Sequence, residues 1–330
     1  ENQKKVPQFS NFEQIRVFYE SNNYHAVSLL DRNYKQIFLK ESDLDSKERR
    51  NAFNLKVEFI HALWCAQTDS LPYAQISEQL HEVIKKSNSL KLIDLMAEAE
   101  FALAKVYQRR HREICDFYSS TNYDTFIDVI KYERGCIPKK NKDNVDEWKR
   151  YQETIERYKE MFSTTIVLAI KNYMNTLLHS NKYDLECTYA IVGLWFNYSY
   201  TKYKEYVEEV PDLIETLKEI FPKIQENKFL HLFYQLAARI DVVDAIDPTQ
   251  TNNYNIDFQE FLREMLSSIC KRNPNECFPI LFALINTNQG NNKSQEIINL
   301  IDFITRESQE LQRHWAEMKF LMRQYILIAS

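Results

Sequence analysis

Glycine scarcity is the feature that most restricts what this chain can fold into. Only 3 of the 330 residues are glycine, namely Gly135, Gly193 and Gly290, whereas an average usage of roughly 7% would give about 23. The P-loop, the dinucleotide fingerprint and the kinase glycine-rich loop need closely spaced glycines. Tight β-hairpins need them too, because their turns require φ > 0. The sequence excludes the phosphate-binding loops and predicts an all-α fold.

The charge balance argues against a nucleic-acid partner. The formal net charge is −5 and the pI is about 5.9, whereas proteins that hold nucleic acid usually carry a basic surplus. The most apolar run, residues 277–285, is far shorter than the ~20 residues that a membrane helix needs. We therefore expect no direct nucleic-acid partner and no membrane partner.

Cysteine usage and the first residue indicate the compartment and the kind of chain. The 6 cysteines are dispersed and form no CxxC pair, which is typical of reduced, buried thiols. Glu1 is not an initiator methionine and no signal peptide opens the chain, so we expect a fragment or a processed form of a cytosolic or nuclear protein.

Apolar residues recur at three- and four-residue spacing, which indicates amphipathic helices. Val57, Ile60 and Trp64 mark one helix, Pro72 suits the first turn of the next, and a longer helix runs from Leu92 to Ile114. Helices joined by short polar turns form hairpins, and stacked hairpins form an α-solenoid. The longer helix also carries a charged face that predicts a solvated stripe, formed by Glu98, Lys105, Arg109, Arg110 and Arg112.

The middle of the chain predicts one long helical hairpin that projects from the array. Its first arm has a short apolar face and is interrupted at Gly135 and Pro138, and its second arm is a long helix from about Asn144 to Leu178. The first half of that helix is highly charged, whereas the second half is apolar nearly all round and is expected to be buried. The expected organisation is helical repeats over 1–121, the projecting hairpin over 122–178 and further helical repeats over 179–330.

Aromatic residues on the projecting helix are candidate interface anchors, because Trp and Tyr are enriched at binding hot spots. These residues are Trp148, Tyr151 and Tyr158. Packing within their own hairpin is an equal alternative. Farther along, residues 229–240 are apolar on most sides and predict a buried helix, and residues 241–255 predict a loop.

Two blocks of the sequence resemble a known family. Residues 229–239, Phe-Leu-His-Leu-Phe-Tyr-Gln-Leu-Ala-Ala-Arg, resemble the signature helix of the FAT domain in the ATM-type (ataxia-telangiectasia-mutated) kinases of the phosphatidylinositol-3-kinase-related family. Residues 278–288 are similar to the next family block, and residues 325–329 to the end of the FAT domain before the kinase. The signature residues are Phe229, Tyr234, Gln235, Ala238, Arg239, Phe278, Leu281, Leu284 and Asn286.

The resemblance implies a fold, a set of partners and a location. FAT domains are α-solenoids of degenerate TPR- and HEAT-like hairpins that wrap a C-terminal Ser/Thr kinase domain and help to hold a homodimer. The implied partners are the chain's own kinase domain, a second copy, and regulatory proteins of the DNA-break response; the parent kinase also acts in telomere maintenance. The implied location is nuclear, with a cytoplasmic share as the alternative. The hairpin of 122–178 is similar to the family's protruding coiled-coil element, which contacts the dimer partner.

Kinase chemistry is absent from the sequence. Phosphoryl transfer needs a catalytic Asp, metal-binding Asn and Asp residues and a phosphate-contacting Lys, and no Arg-Asp or Asp-Phe-Gly element occurs. We expect no catalytic residue and no cofactor in this segment, whereas the parent kinase would use ATP and Mg²⁺.

Two His–Cys pairs and one arginine each have a functional and a structural interpretation. His61 with Cys65, and His111 with Cys115, sit four residues apart, but a structural zinc site needs four ligands. A buried Cys beside a half-buried His is the expected interpretation, with no metal. Arg239 either contacts the kinase domain or, as we expect, pairs with a nearby carboxylate, Asp241 or Asp244.

Three Ser/Thr-Gln dipeptides match the substrate preference of the resembled kinases. They begin at Thr249, Ser294 and Ser308, and the first two fall in predicted loops. They are candidate phosphorylation sites, and phosphate at the helix start near Ser294 would be tolerated by the helix dipole.

The leading hypothesis is a non-catalytic scaffold that clamps and regulates the following kinase domain. A stand-alone TPR-like adaptor that binds peptides in a concave groove is the alternative, and an unrecognised helical enzyme is a third. The adaptor would need polar side chains along one continuous open face, and the enzyme would need a deep pocket with perturbed acids.

Overall fold

Helices account for all the regular structure in the described part of the computed structural model, which comprises residues 47–118, 142–200, 211–240, 253–287, 292–306 and 308–329. Within these ranges the all-α prediction is confirmed. The chain divides into two compact units, Glu1–Tyr183 and Asp184–Ser330. The three predicted segments (1–121, 122–178 and 179–330) stay predictions.

Four helices form the described part of the first unit: α1 (Lys47–Thr68), α2 (Tyr73–Ser89), α3 (Ile93–Tyr118) and α4 (Lys142–His179). Each packs against the next along the chain. The central element is α3, which is buried on most sides between Leu95 and Tyr107. Four buried alanines in this stretch let the neighbouring helices approach closely, and they are Ala97, Ala99, Ala102 and Ala104.

The turns that follow α1 and α2 reach left-handed backbone conformations without glycine. Asp69 has φ 49° and Lys91 has φ 56°. After α2, the Lys91 N–H donates to the Asn88 carbonyl (3.1 Å) and the Leu92 N–H donates to the Ser87 carbonyl (2.9 Å). This is the Schellman pattern, in which glycine usually occupies the left-handed position. The glycine-poor sequence therefore places strained side chains at these two turns.

The predicted long helix is observed as α4, close to its expected limits. Its second half packs on α3 through a buried stripe, formed by Phe162, Ile166, Ala169, Ile170, Tyr173, Met174 and Leu177. Tyr173 also donates a 2.6 Å hydrogen bond from its hydroxyl to Gln108 Oε1 on α3. In the first half, Glu153, Glu156 and Glu160 are exposed, as expected. The predicted first arm, before Lys142, lies outside the described residues.

A chain of polar groups crosses the buried interface between α3 and α4. The Thr165 hydroxyl donates to the Met161 carbonyl (2.7 Å), so its oxygen accepts from His111 Nδ1 at 3.3 Å. His111 Nε2 is then the acceptor for the Cys115 thiol, 3.6 Å away. Burial lowers the pKa of His111 to about 4 and raises the pKa of Cys115 to about 11. Both groups are therefore neutral near pH 7.

A second polar contact ties the end of α4 to α3. His179 Nδ1 lies 2.8 Å from Glu100 Oε2, and Glu100 is almost wholly buried. Desolvation raises the pKa of Glu100, while the hydrogen bond with His179 opposes this shift.

The second unit contains seven α-helices within its described residues. They are α5 (Asp184–Tyr200), α6 (Pro211–Ile220), α7 (Phe233–Ala237), α8 (Asn253–Arg272), α9 (Pro274–Thr287), α10 (Asn292–Arg306) and α11 (Gln309–Ala329), with 3-10 turns at Phe221–Lys223 and Glu226–Leu232. Trp195 of α5 lies at the centre of an aromatic core. Its ring centroid lies 4.7 Å from that of Phe258 and 5.3 Å from that of Phe261, both on α8.

The second unit also contains an ion pair with little exposure to solvent. Lys228, which is nearly buried, pairs with Asp184 at an N–O distance of 2.9 Å.

The predicted continuous helix over 229–240 is wrong in detail. The chain forms the 3-10 turn Glu226–Leu232 and then the short helix α7, which ends at Ala237. Side chains from other helices capture the carbonyls beyond that end: Gln259 Nε2 donates to the Arg239 carbonyl (3.2 Å), and Lys293 Nζ donates to the Ala238 carbonyl. Because these tertiary hydrogen bonds satisfy the carbonyls, no further helical turn is needed there.

Replacing Lys91 by glycine should stabilise the chain. Lys91 is exposed and left-handed, and relief of the left-handed strain outweighs the added freedom of glycine in the unfolded chain. We expect Lys91→Gly to raise the free energy of unfolding by about 1 kcal/mol in urea titrations. Lys91→Ala removes most of the same side chain but keeps the Cβ, so it should not raise the free energy of unfolding. Equal effects of Lys91→Gly and Lys91→Ala would contradict the proposal that Lys91 is strained by its left-handed backbone.

The buried His111 should make the first unit sensitive to acid. The unfolded chain protonates this residue near pH 6.5 and the folded chain only near pH 4. The stabilising contribution is therefore complete above pH 6.5. It is lost progressively as the pH falls from 6.5 to 4, which lowers the free energy of unfolding by up to about 3 kcal/mol. His81, whose pKa is also lowered by burial, acts in the same direction, whereas Glu100 acts in the opposite one.

We expect His111→Gln to flatten this loss when urea midpoints are compared between pH 7.5 and 4. The matched control is His231→Gln, because His231 is exposed. If the urea midpoint of His111→Gln falls with pH as much as that of the wild type, a group other than His111 causes the loss of stability.

Candidate interaction surfaces

An open cleft of about 390 Å³ lies between α1 and α3. We call it the α1–α3 groove. Its lining is mainly apolar and aromatic, with charged side chains at its edges. The lining residues include Phe59, Leu63, Trp64, Phe101, Lys105 and Arg109.

One end of the groove is closed by Arg109. Its Nη1 donates to the Ala66 carbonyl in the last turn of α1 (2.8 Å), and its Nη2 pairs with Asp69 Oδ1 (2.7 Å). Arg109, which was predicted to belong to a solvated stripe, is partly exposed, and its guanidinium also satisfies a helix-end carbonyl across the groove. Arg112 and Lys105 of that stripe are exposed, as expected.

At the other end of the groove, two stacked aromatic rings each contact a lysine. The rings of Phe101 and Tyr183 stack at 4.1 Å with an interplanar angle of 13°. Lys105 Nζ lies 4.3 Å from the centre of the Phe101 ring, and Lys182 Nζ lies 5.0 Å from that of Tyr183. Lys182 also bonds Glu98 Oε1 at 2.7 Å, and this hydrogen bond raises its pKa. Cation–π contacts and this ion pair hold the two ammonium groups at the rim.

In the second unit, a cleft of larger volume, about 630 Å³, lies among α9, α10 and α11. We call it the α9–α11 groove. Its walls include Phe282, Ile285, Ile301, Trp315 and Ile326. Trp315 packs on the buried Phe278, with ring centroids 5.3 Å apart. Lys319 and Arg323 also line this groove, and neither forms an ion pair with a carboxylate of the described residues.

The last turns of α11 expose large apolar side chains. Tyr325 and Leu327 are each 68% exposed and Ile328 is 81% exposed. The full set is Phe320, Leu321, Tyr325, Ile326, Leu327 and Ile328. A cluster of this kind is more often an interaction surface than an ordinary solvated face.

The signature residues divide between core and surface. Phe229, Phe278, Leu281 and Leu284 are buried. The remaining five are partly or largely exposed: Tyr234, Gln235, Ala238, Arg239 and Asn286. The resemblance therefore rests partly on packing and partly on side chains that face solvent.

Arg239 contacts an aromatic ring of α5. Its guanidinium lies 5.7 Å from the centre of the Phe196 ring. Asp241 and Asp244 lie outside the described residues, so their pairing with Arg239 stays a prediction.

The candidate anchors on α4 have one described member. Tyr158 stacks on Phe117 of α3, with ring centroids 4.3 Å apart and an interplanar angle of 15°. It therefore packs within the first unit. The side chains of Trp148 and Tyr151 lie outside the described residues.

The candidate phosphorylation sites differ in their setting. Ser294 lies in the first turn of α10 and not in a loop, because α10 begins at Asn292. Ser308 caps α11, since its Oγ accepts a 3.3 Å hydrogen bond from the Leu311 N–H. Thr249 lies outside the described residues. Phosphorylation at all three stays a prediction.

Each His–Cys pair has a local role. Cys65 Sγ lies 3.8 Å from His61 Nε2, and Cys115 belongs to the polar chain of His111. Across the described ranges, no group of three or more His, Cys, Asp or Glu residues is placed to hold a metal ion. Nor does any described helix combine the length and apolarity needed to cross a membrane.

Sequence reasoning missed the α1–α3 groove. A usable signal was the spacing of Phe101, Lys105 and Arg109, which places an aromatic ring and two cations on one face of α3. What could not be read was that Tyr183, far along the chain, stacks on Phe101.

Comparisons with known proteins show which family the chain resembles. No protein-family model matches the chain. It is 23% identical over 214 residues to the serine/threonine-protein kinase ATM of Drosophila melanogaster, a match that covers 60% of the chain and 7% of that kinase. It also resembles a solved structure described as the complete CtTel1 dimer with C2 symmetry, with a TM-score of 0.52 and 13% identity over 96% of this chain and 12% of that one.

These two similarities confirm the resemblance to a helical region of ATM-type kinases and the helical-repeat fold. The chain spans only a small part of either relative.

Proposed function

We propose that this chain is a non-catalytic scaffold of an ATM-like Ser/Thr kinase, which packs against the kinase domain and restrains it. The observation that carries the proposal is the exposed apolar end of α11, beside the open α9–α11 groove. Both relatives are far longer than the match, so either contains ample further chain to cover these side chains.

Burial of this surface would supply a substantial binding free energy. Each large apolar side chain taken out of water contributes about 1.5–3 kcal/mol. Leu321, Tyr325 and Ile328 lie on one side of α11, whereas Ile326 and Leu327 line the groove on another. A partner that contacts both sides would hold α11 firmly, and such a contact favours the kinase conformations compatible with it.

Homodimerisation is part of the proposal. The similar CtTel1 structure is described as a dimer with C2 symmetry, and Trp148 and Tyr151 on α4 are the proposed anchors. Deletion of residues 122–178 would not test this, because the second half of α4 forms the core of the first unit. Point substitutions of the two anchors, followed by sedimentation of the full-length kinase, are the appropriate measurement.

The wider role follows from the same resemblance. We assign the parent kinase to the response to DNA breaks, to DNA repair and to telomere maintenance, in the nucleus, with regulatory proteins of the break response as further partners. ATP and Mg²⁺ would then be used by the kinase domain and not by this segment. The alternative, a stand-alone TPR-like adaptor, is favoured by one observation, the open α1–α3 groove.

The α11 surface can be tested by binding. We expect Tyr325→Ser/Ile328→Ser to weaken association of the 330-residue chain with the kinase-bearing part of its parent protein at least tenfold, because two buried apolar side chains are lost. The readout is biolayer interferometry. The matched control is Ile93→Ser/Leu185→Ser, because these two side chains are 55% and 61% exposed and lie elsewhere.

Equal binding by the two double variants would rule out α11 as the docking surface. No binding by the wild-type chain, combined with capture of unrelated peptides, would favour the adaptor.

A further inference from the structure

The wall that α11 contributes to the α9–α11 groove carries two cations, Lys319 and Arg323. We propose that this groove receives an amphipathic helix from the kinase-bearing part of the parent protein, with carboxylates four residues apart beside its apolar face. The inference rests on the proposed function, because the groove shares α11 with the surface that we assign to contact with the kinase domain. It adds the shape and the charge of the segment that enters the groove.

One stripe of α11 faces the groove. Its members recur at three- and four-residue spacing, which places them on a single side of the helix. In chain order they are Trp315, Lys319, Arg323, Ile326 and Leu327. The two cations therefore lie in the middle of the stripe, with an aromatic ring before them and aliphatic side chains after them.

The dimensions of the groove suit a helix. From Trp315 to Leu327 the stripe extends about 18 Å at 1.5 Å per residue, and a second helix of about twelve residues covers the same length. The groove volume of about 630 Å³ lies within the range of ligand clefts and admits the side chains along one helix face. Amphipathic helices bind in apolar grooves through anchors spaced three and four residues apart.

The lining favours apolar anchors on the entering helix. Phe282 and Ile301 are buried and Ile285 is half-buried, whereas Ile326 and Leu327 are 53% and 68% exposed. Leucine side chains of a docked helix would remove the exposed part of this lining from water while their own surface is buried.

The charges of the groove favour carboxylates at the α11 wall. Within the described ranges, neither Lys319 nor Arg323 forms an ion pair. Of the described residues that line the groove, only Asp302 on α10 carries a carboxylate, and it forms no ion pair either. The nearby charges of Arg313 and Glu317 pair with each other. An acidic residue beside α11 is therefore attracted and a basic one is repelled.

The spacing of the two cations specifies the spacing of their partners. Lys319 and Arg323 are four residues apart, which is about 6 Å along the axis of α11. Two glutamates four residues apart on a helix that lies along α11 have the same separation, so each can face one cation. Asp302 favours a lysine on the flank of the docked helix that faces α10.

The test measures binding of three labelled sixteen-residue helical peptides to the 330-residue chain by fluorescence anisotropy. All three have the same leucine face, and the flanking pair four residues apart is Glu in the first, Lys in the second and Gln in the third. We expect the Glu peptide to bind at least tenfold more tightly than the Lys peptide, with the Gln peptide between them. Because the net charge of the chain is −5, long-range attraction alone would give the opposite order.

Charge reversal at the α11 wall should reverse this preference. We expect Lys319→Glu/Arg323→Glu to weaken the Glu peptide at least tenfold and to strengthen the Lys peptide, which a folding defect would not do. The same variant should weaken association with the kinase-bearing part about tenfold. The matched control is Arg112→Glu/Lys171→Glu, which changes the net charge equally at two exposed residues of the first unit and should bind like the wild type.

A variant that fills the groove identifies its occupant. Ile298 is half-buried in the lining, and we expect Ile298→Arg to abolish binding of all three peptides. Self-association that Ile298→Arg abolishes would overturn the inference, because a second copy would then occupy the groove. A crosslink from Lys319 to residues of the same chain outside the described ranges, lost in Ile298→Arg, would overturn it in favour of the chain's own segment.

Failure of the inference and failure of the proposed function give different results. Equal binding of the Glu and Lys peptides, with no response to Lys319→Glu/Arg323→Glu, rules out the acidic helix. If Tyr325→Ser/Ile328→Ser still weakens association with the kinase-bearing part, the α11 surface remains the docking site. If the kinase-bearing part does not bind the wild-type chain at all, the proposed function fails, and with it the assignment of the helix to that part.

Discussion

Burial of α3 between its neighbours is the constraint on which the first unit depends. Small alanines let α2 and α4 approach its backbone, and the apolar stripe of α4 from Phe162 to Leu177 closes over it. Because the helix is covered on most sides, the polar groups that its sequence places there must find partners within the protein. Glu100, Gln108 and His111 all do so through residues of α4.

These internal partners change how the chemistry-bearing residues are interpreted. A His four residues from a Cys resembles half of a metal site. Here, however, Cys115 and His111 belong to a chain of hydrogen bonds that continues through Thr165 and ends at the Met161 carbonyl of α4. Burial holds the thiol protonated and the imidazole neutral, which suits a structural contact within a packed interface.

The chain's proposed functions follow from surfaces rather than from reactive groups. The end of α11 exposes large apolar side chains of a kind that proteins usually bury, and the α1–α3 groove has a mainly apolar and aromatic lining. The two surfaces lie in different units, and the α11 surface is the one that we propose contacts the kinase domain. A scaffold of this kind acts by selecting which partner conformations are populated.

The sequence by itself determined the helical fold, the limits of the long helix α4 and the kinase family that the chain resembles. Those properties depend on local periodicity, on the lack of glycine and on the signature residues, all of which can be read along the chain. Only the tertiary structure decided that the 229–240 segment breaks after Ala237, because Gln259 and Lys293 capture its carbonyls. It alone also placed Tyr183 on Phe101 and turned Arg109 toward α1, since residues distant in sequence meet only once the helices have packed.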